Sequence, residues 1–114
     1  MRIVSALVFV VGLALIAVPA AAQDSAVIAH GQKVYAAQKC SVCHSIAGTG
    51  NKKGLLDEVG TKLTADEIRQ WLVNAPEMTK KTKATRKPAM KNYPTLPKAD
   101  IDGLVAYMQS LKKS

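Results

Sequence analysis

The sequence predicts an all-α domain, three main helices joined by long loops, with something other than protein at its centre. Three observations carry that expectation. Apolar residues recur at helical spacing in three separate stretches, and no stretch alternates as a half-buried strand would. The chain of 114 residues holds few large side chains for a core of its own. Loops this long in a small domain have to wrap something.

The first residues are set apart from the rest. Arg2 is followed by an uncharged apolar run, Ile3 to Val18, and then by Pro19-Ala20-Ala21-Ala22 before Gln23. A positive start, an apolar stretch and a small-residue end are the pattern of a secretory signal peptide. The run is shorter than the roughly 20 residues of a membrane span. The expected division is therefore 1–22 as signal and 23–114 as one domain, exported to the periplasm, with membrane association only if the signal stays uncleaved. Of the aromatic residues, Tyr35, Trp71, Tyr93 and Tyr107 lie in the domain. A domain this small sits near the lower limit of self-sufficient burial and needs a staple. Its two cysteines are three positions apart and close only a tiny loop.

Val27, Ile28, Gly31, Val34 and Tyr35 mark a helix over 26–39, with Asp24 or Ser25 as its cap. Gly31 on the apolar stripe costs helix stability relative to Ala, which a close helix crossing would explain. Residues 45–62 are rich in Gly, Lys, Asn and Thr and read as loop, with Leu55, Leu56 and Val59 tucked inward. Thr64-Ala-Asp-Glu67 is a capping box opening a helix over 65–74, with Ile68, Trp71 and Leu72 on its inner face. Pro76 is expected to end it. Residues 77–98 read as irregular. A last helix, about 98–112, buries Ile101, Leu104, Val105, Met108 and Leu111. Asp100 and Asp102 in its first turn and Lys112 and Lys113 at its end suit the helix dipole.

The chemistry sits in Cys40-Ser-Val-Cys43-His44, the attachment signature of c-type haem. Two thiols about one helical turn apart reach the two vinyl groups on one porphyrin edge, and the adjacent imidazole points at the iron. A thioredoxin-like dithiol needs a strand before the motif and a βαβ sheet, and neither is present. A zinc site wants four ligands, whereas Cys40, Cys43, His44 and His30 are the only Cys and His, and two of them are adjacent. The cofactor expected is one covalently attached haem c with its iron.

Gly31-x-x-x-Tyr35, then Cys40-Ser-Val-Cys43-His44, then Met90, then Leu104-Val-Ala-Tyr107-Met resembles class I cytochrome c of the bacterial type, over nearly all of residues 26–113. The resemblance implies a cytochrome c fold, with the first and last helices crossing at Gly31 and Tyr107. It also implies Met90 as the iron's second ligand opposite His44, since such proteins carry their ligand Met on extended chain ahead of the last helix. The other candidates are Met78, expected in an exposed loop, Met108, expected in the core, and His30, expected at the surface. Many relatives have Gly-Pro where this chain has Lys53-Gly54. The carbonyl of Gly54 or Leu55 then takes the task of orienting His44. Trp71 and Tyr93 are candidate donors to the haem propionates or core residues.

Iron held by His and Met has no open position, which implies electron transfer rather than catalysis. The expected function is a soluble periplasmic carrier of single electrons between larger redox proteins, not an enzyme. The alternatives are a dedicated cytochrome subunit of a periplasmic oxidoreductase, or a haem sensor or peroxidase if the iron is open. The formal charge is +8, and removal of Arg2 with the signal leaves +7. Export argues against nucleic acid as the negative partner. Lys80, Lys81, Lys83, Arg86, Lys87 and Lys91 concentrate around Met90 and are read as a docking rim for acidic redox proteins.

Overall fold

The computed structural model describes residues 8–14 and 20–113. Five helices and one small hairpin follow in chain order. They are α1 (Ala20–Ala37), β1 (Ser45–Ile46), β2 (Thr49–Gly50), α2 (Val59–Lys62), α3 (Ala65–Val73), α4 (Ala75–Thr82) and α5 (Lys98–Ser110). The expected signal, 1–22, lies largely outside the described residues. Its residues 8–14 lack regular structure, and Val8, Phe9, Val10, Val11 and Leu13 are exposed. Among the described residues no helix is long and apolar enough to cross a membrane.

Helices α1 and α5 cross and form the frame of the domain. The crossing is made by two glycines, not by a glycine and an aromatic alone. Gly31 lies against the Gly103 backbone so closely that a Cβ at 31 would fall onto the Gly103 carbonyl. Tyr107 flanks the contact, and its ring meets that of Tyr35 edge to face at 5.8 Å, a favoured aromatic geometry. The core is shared by α1, α3 and α5: Val34, Ile68, Leu72, Ile101, Leu104, Val105 and Met108 are buried together.

Helix α1 begins at Ala20 rather than 26, so neither Asp24 nor Ser25 caps it, and it ends at Ala37. Val27, expected on the buried stripe, is exposed, because only the stretch around Gly31 and Val34 faces α5. Pro76 does not return the chain to loop. The break falls at Asn74 (φ −142°, ψ 41°), which ends α3 and begins α4. Pro then sits in the first turn of α4, where its missing N–H costs nothing. Part of the expected irregular stretch, 77–82, is thus helical. Met78, expected on an exposed loop, is buried on the inner face of α4.

The 45–62 segment is also more ordered than its composition suggests. Ser45 pairs with Gly50 and Ile46 with Thr49 around a two-residue turn. Both turn residues, Ala47 (φ 51°) and Gly48 (φ 80°), are left-handed, as such a tight hairpin requires. Leu56 and Val59 pack on the core as expected, whereas Leu55 stays exposed. The short α2 docks on the end of α5, its Gly60 N–H donating to the Leu111 carbonyl at 2.8 Å. Helix α3 opens with the expected capping box, both Thr64–Glu67 hydrogen bonds being formed. Helix α5 stops at Ser110. Its Asp102 serves less the dipole than Arg69 of α3, at 2.8 Å, and Lys98, at 2.6 Å.

Candidate functional site

The site begins where α1 stops. Lys39 turns left-handed (φ 56°), and Cys40–Val42 continue as one 3-10 turn. The N–H of Cys43 and of His44 both donate to the Cys40 carbonyl, at 3.1 and 2.9 Å. This turn puts both thiols and the imidazole at the wall of one cavity. Cys40 and Cys43 are free and half-buried, and burial pushes the Cys40 thiol above its ordinary pKa.

His44 is oriented from behind. Its Nδ1 donates to the Gly54 carbonyl at 3.1 Å, and the same oxygen accepts from Ser45 N at 3.0 Å. A carbonyl can only accept, so Nδ1 carries the proton and Nε2 keeps its lone pair. Burial and, secondarily, the Arg86 cation press the imidazole's pKa below its ordinary value, against the opposing pull of the Gly54 bond. The shift favours the neutral imidazole, the form that binds a metal. Asn51 holds the loop in place. Its N–H donates to the Ser41 and His44 carbonyls, its side-chain amide to Val42 O, and its Oδ1 accepts from Lys53 N. Sequence reasoning passed over Asn51, whose only signal was its place in a Gly- and Lys-rich loop.

The cavity measures about 470 Å³, within the range of cofactor sites. Its walls are mostly apolar: Leu55 and Leu56 from the loop, Trp71 and Leu72 from α3, Leu104 and Met108 from α5, and Pro88 to Met90 from the segment before α5. Cys40, Cys43, His44 and Met90 are thus brought to one space. Met108 also lines it from inside α5 and belongs to the core. Met78 is not among the lining residues. His30 lies at the surface, paired with Asp100 at 2.7 Å. Trp71 lines the main cavity. Tyr93 lines a smaller space of about 70 Å³ beside both thiols and Met90, with the Lys91 ammonium 5.5 Å from its ring centre.

These walls fit a porphyrin. The Tyr35 hydroxyl, buried at the cavity wall, has no partner within the protein. No cluster of three or more His, Cys, Asp or Glu suited to a bare metal ion occurs among the described residues. One neutral imidazole and one thioether beside two thiols suit iron delivered inside a ring, not a naked ion. Residues 28–112 match the family model described as Cytochrome c. No curated protein and no solved structure gives a significant match.

Proposed function

The chain belongs to the cytochrome c family, and on that premise we propose that it is a periplasmic carrier of single electrons whose haem iron would be held by His44 and Met90. Members of the family carry covalently attached haem c and serve electron transport. When bound, the haem supplies one reversible electron at its iron. The rest is the work of this chain. Cys40 and Cys43, free thiols here, would tether the group through thioethers. His44 offers a neutral imidazole whose orientation is set by Gly54. Met90 offers a thioether from the segment lining the cavity. The apolar walls keep water out, so little reorganises when charge changes.

The observation that carries this reading is the convergence of two free thiols, an oriented imidazole and Met90 on one apolar cavity. The charges support the role of a docking carrier. Among the described residues none of Lys80, Lys81, Lys83, Arg86, Lys87 and Lys91 is in an ion pair, while Asp100 and Asp102 are engaged within the domain. The unpaired cations supply long-range attraction for an acidic redox partner. The exposed apolar residues at 8–14 agree with a leader that serves export.

The test is the optical spectrum of the matured ferric protein before and after Met90→Ala. Loss of the weak long-wavelength band of iron–sulfur bonding, with new carbon monoxide binding by the ferrous form, is the expected result. An unchanged band overturns the assignment of Met90.

A further inference from the structure

The His44 side of the cavity holds one group that electron carriage by haem does not by itself call for. Arg86 leaves the lysine-rich segment, reaches the cavity wall and meets the loop behind His44. The meeting point is Gly54. A Cβ there would collide with Arg86 Nη1 and with the Cys43 carbonyl, and would lie 2.9 Å from His44 Nδ1. The missing side chain of Gly54 is thus the slot in which the guanidinium sits. Arg86 precedes Met90 by four residues, and both line the same cavity. Lys83 and Lys87, its neighbours in the charge run, do not line it. Among the described residues no carboxylate pairs with Arg86. Its charge is permanent and is not neutralised locally.

We propose that Arg86 is a positioning residue of the electron-transfer centre. Seated against Gly54, its guanidinium ties the Met90-bearing segment to the His44 loop and holds the reduction potential up. The inference rests on the reading of the cavity as a haem site. A cation beside the imidazole, even on an exposed residue, favours the oxidation state of lower positive charge, which is the reduced one. The planar fork matters as well as the charge, because a lysine ammonium is a point charge on a flexible stem. The fork also sits at Gly54, the residue whose carbonyl accepts the His44 Nδ1 proton.

The matured, haem-loaded protein tests this with Arg86→Gln, Arg86→Lys and, as control, Lys87→Gln. The control removes one charge from the same segment outside the slot. Arg86→Gln is expected to lower the equilibrium constant for reduction about tenfold, or about 59 mV for a one-electron couple. Lys87→Gln should shift it by far less. Arg86→Lys should keep most of the potential but speed the exchange of the His44 Nδ1 proton, read by NMR of the reduced protein. Equal shifts for Arg86→Gln and Lys87→Gln overturn the proposal. If Arg86→Gln does not fold, Arg86→Lys decides alone, and wild-type exchange in it overturns the tie. A failure of the underlying haem reading looks different: the wild-type protein would carry no covalently bound porphyrin by mass.

Discussion

Gly31→Ala places one methyl group where the two framing helices touch. The new Cβ would strike the Gly103 carbonyl, lying 2.5 Å from its carbon and 2.9 Å from Tyr107 Cβ. The nearest obstacle is backbone, so no side chain can rotate away, and α1 and α5 must separate. Removing a helical glycine returns about 0.5–1 kcal/mol. Overpacking costs about 1–3 kcal/mol. With backbone as the obstacle the overpacking term wins, leaving a net loss of up to about 2.5 kcal/mol, or a midpoint up to roughly 20 °C lower in a domain of this size. Gly103→Ala should be milder. Its Cβ would sit 3.0 Å from His30 Cδ2, which can move, and 3.0 Å from Gly31 N, which can give a little. The assay is thermal unfolding of the matured protein by far-UV circular dichroism. A Gly31→Ala protein melting at or above wild type would refute the crossing, since that is how an exposed helical glycine behaves.

Two further outcomes are expected. Thr64→Ala removes the cap of α3 and with it both reciprocal hydrogen bonds, so stability should fall by about 1 kcal/mol in denaturant unfolding, with Ser restoring most of it. Tyr35 gives a pH signature: burial pushes its phenol from 10.0 up to about 12. An unfolded tyrosine releases its proton near pH 10, so between these values the unfolded state binds fewer protons and stability falls as pH rises. The contribution is complete below pH 10 and gone above about 12. Tyr35→Phe should therefore flatten the alkaline loss of stability relative to wild type. A parallel decline in both proteins contradicts the assignment.

Where the sequence speaks through local chemistry, it is readable. The capping box at Thr64 and Glu67 depends on residues three apart, and it forms as written. The 3-10 turn of the Cys40–His44 motif is equally local. Gly31 betrays a close crossing because glycine is costly mid-helix, but its partner Gly103 is 72 positions away and carries no mark of the pairing. Helix α4 escaped because proline punctuates in either direction: Pro76 opens a helix as readily as it ends one, and Asn74 makes the break. The hairpin escaped because its turn is Ala47-Gly48 rather than the Asn-Gly that announces two left-handed residues. Arg86 is hidden for a different reason. In the sequence it is one cation among several, and only the slot at Gly54 sets it apart.

The meeting of α1 with α5 has a consequence for manufacture. The thiols proposed to receive the cofactor follow the first helix, yet Leu104 and Met108, which line the cavity's wall, belong to the last. A nascent chain that lacks the last helix displays Cys40 and Cys43 without an enclosure around them. Loading therefore precedes final closure or waits for it, but the finished vessel exists only once the carboxyl-terminal dozen residues have arrived. Truncation there would leave a chain that can be labelled and cannot be sealed.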